Sequence, residues 1–209
     1  MIYLSVPPVV PEHVEQVRRG AIGVMLTPRV GRTVTAAKSW PVWAADNACF
    51  TSSTTFDLTK YLAWLDRMRE VSGCLFATAP DVVGDAAATW ERSRDVLPLI
   101  RERGYRAALV AQNGIRSVPW SEVDAIFIGG DTAFKYSSTA DELCREAKRL
   151  GKWAHMGRVN SLPRWRLCAR VGYDSCDGTF IRFGPSTNLP KVLRWMRTTN
   201  EDPQTGMGW

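Results

Sequence analysis

The sequence predicts a compact (β/α)8 TIM barrel, one α/β domain of eight parallel strands with helices between them. Three observations support this. Short apolar runs recur along the 209 residues, most of them followed by a segment of helical periodicity. The runs are near-continuous rather than alternating, the pattern of strands buried on both faces of a parallel sheet. The first run leads into Val6-Pro-Pro-Val-Val-Pro11, which has none of the glycines a doubly wound dinucleotide fold places there. The closed barrel is the economical solution, although the chain is shorter than the roughly 250 residues usual for that fold.

Ile2 to Val6 opens the series as a strand, and Pro11 to Arg19 follows as a helix with proline near its start and Gly20 after its end. Ala21 to Leu26 and Val42 to Ala45 are the second and third strands, the latter ending at Asp46. Asp57 caps a helix over 58–71, in which Tyr61, Leu62, Leu65 and Met68 share a face. Cys74 to Ala77 is the fourth strand, and one helix over 85–103 stops at Gly104. Arg106 to Ala111 and Ala125 to Ile128 are the fifth and sixth strands, and a helix over 139–150 closes at Gly151. Lys152 to Met156, a helix over 162–171, and Tyr173 to Cys176 complete the strand set. A last helix covers 186–197, so the barrel domain is expected over 1–198 with a frayed tail over 199–209.

Composition narrows the class. A hydrophobic fraction of 45% and a charged fraction of 23% are ordinary for a globular protein. No apolar run approaches the ~18 residues of a membrane span, and Met1 to Val6 lacks the basic region of a signal peptide. A cytoplasmic protein with no membrane partner is expected. The five cysteines are scattered without a CxxC pair, and only two histidines are present, which argues against a disulfide framework and a zinc site. No metal and no cofactor are expected. The net charge of +6 and pI near 9.3 permit a nucleic-acid partner without showing one. Most of the nine tryptophans should be core, while an exposed few could stack on bases.

In a barrel of this kind the active site lies at the C-terminal strand ends. Those ends carry Asp46, Asp81, Gln112, Gly129-Gly130, His155-Met156-Gly157 and Asp177. A lone aspartate after a strand is more often a cap or turn former, and Asp57, Asp85 and Asp141 are read that way. His155 could equally be a satisfied core histidine, and Gly-Gly a tight turn. The joint pattern suits a planar nitrogenous base: a carboxylate accepts from ring and exocyclic N–H groups, while Gln112 and the Gly130 N–H donate to a carbonyl oxygen. A second carboxylate near a sugar C1′ could hold a covalent glycosyl intermediate.

Several segments carry a resemblance: Asp46-Asn-Ala-Cys-Phe50, Asp81 within Ala79-Pro-Asp-Val-Val83, Ala111-Gln-Asn-Gly114, Ile128-Gly-Gly-Asp131, Met156-Gly157 and Gly172-Tyr-Asp-Ser-Cys-Asp177. In this order they resemble motifs of the queuine/archaeosine tRNA-guanine transglycosylase superfamily, whose fold is a (β/α)8 barrel. The resemblance implies Asp177 as nucleophile and Asp46 as general acid/base. Asp81, Gln112 and Gly130 would contact the base, with Met156 packing near it; Gly129, Gly157, Phe50 and His155 complete the expected substrate-binding set. The family's zinc-binding extension is missing, Asp131 replaces a leucine, and Lys135 stands where a carboxylate is expected. The chain is most similar to compact phage and actinobacterial members linked to 7-deazaguanine in DNA, which would place it in a host cytoplasm if phage-encoded.

The resulting expectation is exchange of guanine for a 7-deazaguanine in nucleic acid, with DNA favoured over tRNA. A target inside a duplex would first be flipped out. Arg158, Lys135, Arg182 and Arg32, with Arg29 and Lys38, are the candidates for phosphate contacts. A homodimer is compatible with the family, although no isolated apolar patch demands one. Two alternatives stand beside exchange: a glycosidase using water as acceptor, and a silent barrel that binds a base or a protein partner. Asp174, three residues before Asp177, should face the other way and be structural.

Overall fold

The computed structural model describes residues 1–29, 37–49 and 56–201. Its strands are β1 (Ile2–Ser5), β2 (Gly23–Leu26), β3 (Trp43–Ala45), β4 (Cys74–Thr78), β5 (Ala107–Ala111), β6 (Ala125–Ile128), β7 (Trp153–Met156) and β8 (Ser175–Gly178). They form a closed barrel in sequence order. Closure is made by parallel pairing of β1 with β8, in which Ile2 faces Ser175 and Leu4 faces Asp177. The described helices are α1 (Pro11–Arg18), α2 (Leu58–Met68), α3 (Ala86–Ser93), α4 (Leu97–Glu102), α5 (Thr132–Lys135), α6 (Ser138–Arg149), α7 (Leu162–Val171) and α8 (Pro185–Glu201). The expected (β/α)8 barrel is therefore the fold. None of the described helices is long and apolar enough to cross a membrane.

Local chemistry explains the element ends. The Asp57 and Asp85 side chains accept the N–H groups of Lys60 and Ala88, capping α2 and α3 as expected. Asp141 does not cap: Ser137 takes that position on α6, and Asp141 lies inside the first turn with Arg145 four residues on. Gly172, at φ 101°, ends α7 in the left-handed conformation that glycine adopts without a Cβ penalty. The single helix expected over 85–103 is two helices. Pro98 lacks the N–H that would continue the ladder to Arg94, and α4 starts afresh with that proline in its first turn. Helix α8 continues to Glu201, through the first three residues of the expected tail, and residues 202–209 lie outside the described part.

Strand alternation sorts the core into two layers. Leu4, Met25, Ala44, Phe76, Ala108 and Ala125 fill the lumen, with Phe127 and Trp153 packed against them. Large and small residues alternate because a narrow barrel has no room for bulk on every strand. The other parity, including Tyr3, Val24, Leu109, Ile126 and Met156, packs outward against the helices. Carrying the lumen parity one residue past these strand ends brings Asp46, Gln112 and Gly129 to the C-terminal mouth. Asp177 reaches the same mouth from within β8.

Candidate functional site

The mouth is built on three aspartates. Asp46 follows β3, and its Oδ1 accepts the Ala48 N–H at 2.7 Å in a turn that forces Ala48 to φ 62°. A positive φ at a residue with a Cβ costs energy and is held by its surroundings, here Asn47. The Asn47 amide N–H donates to Thr78 Oγ1 at 2.9 Å, and its Nδ2 donates to Ala79 O at 2.7 Å and Asp81 Oδ1 at 3.1 Å. Burial pushes the Asp46 carboxyl up to about 7; the Ala48 N–H opposes this, and the charges of Asp177 and Asp81 add to it. The same influence of Asp177 and Asp81 on Asp46 places the three carboxyls in one electrostatic neighbourhood.

Asp81 is buried, and its other oxygen, Oδ2, accepts Gln112 Nε2 at 2.6 Å. Burial raises its carboxyl, while the bonds from Asn47 and Gln112 hold it down. Gln112 is a hub: its Oε1 accepts the Gly130 N–H at 2.8 Å and the Gly84 N–H at 3.0 Å. Gly129 must lack a Cβ here, because one would lie 2.9 Å from Gln112 Nε2 and 2.8 Å from Val110 Cγ1. The Gln112 amide and the Gly130 N–H, expected to read a base carbonyl, are thus bonded to Asp81 and to each other.

Asp177 is the more open acid. Its Oδ1 accepts the Arg158 N–H and His155 Nε2, both at 3.1 Å, whereas Oδ2 has no hydrogen bond among the described residues. His155 lies wholly inside the lumen between Phe76 and Phe127, with ring centroids 5.0 and 4.5 Å away, so burial lowers its pKa and keeps it neutral near pH 7. It acts through Asp177 and does not touch the mouth. Its tautomer follows from the polar groups around it. Trp153 Nε1 can only donate, and it does so to Ser175 Oγ at 2.9 Å. The Asp177 carboxylate oxygen on the other side of the ring accepts, which places the ring proton on Nε2, and Nδ1 then accepts the Ser175 hydroxyl proton at 2.8 Å. Imidazole ¹⁵N spectra, simple to assign with two histidines, should report the Nε2–H form, and Ser175→Ala should mix the tautomers. An Nδ1–H wild-type signal would refute this chain of donors.

The remaining expected residues divide. Gly157 is at the mouth, closely packed against the Phe127 ring. Met156 is not: it has the opposite parity to His155 and packs outward beside Leu167 and Cys168. Lys135 is buried, with Nζ donating to Gly129 O at 2.6 Å and Gly130 O at 2.7 Å, so it braces the glycine turn from behind instead of facing a phosphate. Burial and the neighbouring Arg158 charge lower it to about 8, with Asp177 opposing. Arg158, at φ 59°, donates from its guanidinium to Gly130 O. Arg182 is exposed on a short 3-10 turn, and Phe50 and Arg32 lie outside the described residues. Asp174 is structural as expected: it pairs with Lys148 and accepts the Ala154 N–H. Asn47, Ser175 and Trp153 were not singled out in the sequence. The one signal for Ser175 is a polar residue at the lumen parity of a buried strand.

No family model and no curated protein matches the chain. Solved structures do. A tryptophan synthase from M. tuberculosis, bound to aminoacrylate and BRD0059, is 13% identical with a TM-score of 0.56, over 92% of this chain and 87% of that one. N-acetylneuraminate lyase from Fusobacterium nucleatum is 12% identical with a TM-score of 0.52, over 96% of this chain and 80% of that one. A 4-hydroxy-2-oxoglutarate/2-deydro-3-deoxyphosphogluconate aldolase from TTHB1 is 13% identical with a TM-score of 0.53, over 95% and 90%. At such identities the likeness concerns the fold. These neighbours correct the assignment to the tRNA-guanine transglycosylase superfamily, and with it the expected guanine exchange through an Asp177-bound sugar. The short motifs behind that assignment are glycines and polar residues at strand ends, which a barrel needs for its own turns, as the Gln112–Gly130 and Lys135–Gly129 bonds illustrate.

Proposed function

We propose that the chain is an acid–base enzyme of the lyase kind, breaking a carbon–carbon bond beside a carbonyl with Asp46 as the acid and Asp177 as the base. The observation behind this is the contrast between Asp46 and Asp177. Burial raises Asp46 to about 7, so it enters the reaction as an acid, whereas Asp177 receives two N–H donors on one oxygen and keeps the other open to the mouth. Two carboxyls held in such different surroundings divide the acid and base roles between them. In the cleavage direction Asp177 Oδ2 takes the proton of a substrate hydroxyl and the carbon–carbon bond breaks. The electron pair is delocalised onto the neighbouring carbonyl oxygen, which receives the Asp46 proton. The products are a carbonyl compound and an enol, and proton exchange with water resets the two acids. The lyase and aldolase named among the structural neighbours favour this reaction class over other acid–base chemistry.

The half-reaction is testable before the full substrate is known. Deuterium uptake from D2O at the carbon beside the carbonyl is followed by NMR for a panel of 2-oxo acids, hydroxyketones and their phosphate esters. At least one member should exchange faster with protein than without. Asp177→Asn should slow that exchange by about a hundredfold or more, the usual contribution of a positioned base. Borohydride should trap no adduct on Lys135, because its Nζ is bonded to two backbone carbonyls. A panel without enzyme-dependent exchange, or an Asp177→Asn variant of full activity, would remove the proposal.

A further inference from the structure

A cavity of about 1130 Å³ opens beside the aspartate cluster, between the loops after β3 and β4 and the helices α2 and α3. It does not lie over the carboxyls. Asn47 and Pro80 stand at the boundary, and Asn47 reaches from the cavity wall to Asp81 Oδ1. Its volume is at the upper end for a small-molecule site. Its charge is opposite in sign to that of the mouth: among the described residues Arg29, Lys60, Arg67 and Arg92 line it, with Asp57 as the single acid.

The cations differ in how they are held. Lys60 pairs with Asp57 at 3.0 Å. Arg92 is anchored at the floor by one N–H donated to Asp81 O at 3.0 Å, which fixes the guanidinium while leaving the rest of its fork unbonded within the described residues. Arg67 is exposed and meets no acceptor there either. The apolar wall is aromatic, with Phe56 on Tyr61 at 5.6 Å and Tyr61 stacked on Trp64 at 6.0 Å. Trp64 is 3% exposed and closes the back of this wall. The two arginine forks open on one cavity and meet few acceptors among the described residues, and an oxyanion held there would answer both.

We infer that this cavity binds a phosphate group, as a phosphomonoester or a phosphodiester, with Arg67 and Arg92 as the principal contacts and the carbon skeleton on the Phe56–Tyr61–Trp64 wall. Arginine suits this role because its planar fork matches phosphate oxygens bidentately. A phosphate held here lies one residue, Asn47, away from the carboxyls. It would anchor the substrate outside the field of the three aspartates, which repels an anion placed directly over them. Naming a phosphorylated substrate deepens the acid–base proposal and rests on it for its catalytic meaning. Binding itself does not, so it is measured in the Asp177→Asn protein.

The test is calorimetric and NMR titration of that protein at constant ionic strength. The probes are inorganic phosphate, dihydroxyacetone phosphate and a short single-stranded oligonucleotide. Saturable binding of at least one probe is expected, with a shift of the Arg92 side-chain N–H resonance, assigned through Arg92→Gln. Arg67→Gln, an exposed change that leaves the fold alone, should weaken binding about tenfold, and adding Arg92→Gln should weaken it further. Arg145→Gln, on α6 and remote from the cavity, should change nothing. Binding of the phosphate ester identifies a small phosphorylated compound as the source, and binding confined to the oligonucleotide identifies a nucleic-acid backbone. The inference is overturned if no probe saturates, or if binding is insensitive to Arg67→Gln.

Discussion

Asp46→Asn is expected to make the protein more stable at pH 8 while abolishing the proposed acid–base activity. In the folded chain the Asp46 carboxyl sits near 7, against 3.8 for the free group. Below about pH 4 it is protonated in both folded and unfolded chains and contributes no pH dependence. Between about 4 and 7 the folded chain holds a proton that the unfolded chain has lost, so stability falls as pH rises through that window and is level above it. A gap of three units corresponds to about 4 kcal/mol, and residual solvent contact makes about 2–4 kcal/mol the reasonable expectation. Asparagine keeps an oxygen for the Ala48 N–H and carries no charge, so the variant should show no such decline. Urea midpoints at pH 4.5 and pH 8 measure this directly. A variant less stable than wild type at pH 8 would show that Asp46 is a structural anchor and would take away its role as the acid.

A carboxyl that weakens the fold on ionising is the expected signature of a functional group. It also separates the three mouth aspartates physically. Asp81 is bonded on both oxygens, to Asn47 and Gln112, and serves as a fixed part of the frame. Among the described residues Asp177 is bonded on one oxygen only, and Asp46 accepts a single backbone N–H while burial works against its charge. On the proposed reading, a frame, a base and an acid are distributed over three residues that look alike in the sequence.

That likeness marks how far the sequence could be read. The barrel was legible because fully buried parallel strands leave unbroken apolar runs, and the strand ends follow from where those runs stop. Asp46, Asp81, Gln112 and Asp177 were legible as mouth residues for the same reason. Side-chain direction was less so. Met156 and His155 are neighbours on β7, so only one can face the lumen, and a motif match that takes both together overlooks the alternation. The break between α3 and α4 was hidden because Pro98 sits in a segment otherwise favourable to helix, and one missing N–H outweighs that propensity. Lys135 was misread because a lysine after a glycine turn suggests a surface charge. Its burial depends on two carbonyls that become visible only in three dimensions.

Gln112 is expected to be the costliest side chain to lose at the mouth. Removing it in Gln112→Ala leaves Asp81 with one side-chain donor and strands the N–H groups of Gly130 and Gly84, the first of them buried. Each orphaned polar group costs about 1–3 kcal/mol, so a loss of about 3–5 kcal/mol is expected in urea unfolding. Gln112→Glu discriminates the mechanism. Its carboxylate still accepts from the two glycines, but it faces Asp81 Oδ2, where the native contact is 2.6 Å, with an acceptor in place of a donor. Two carboxyls at that distance share one proton and give it up only at raised pH. The variant should therefore approach wild-type stability near pH 5 and lose it steadily toward pH 8, a slope absent from Gln112→Ala. If Gln112→Glu instead keeps the wild-type pH dependence, Asp81 and Gln112 are not bonded as drawn, and the separation of Asp81 from the two working acids falls with them.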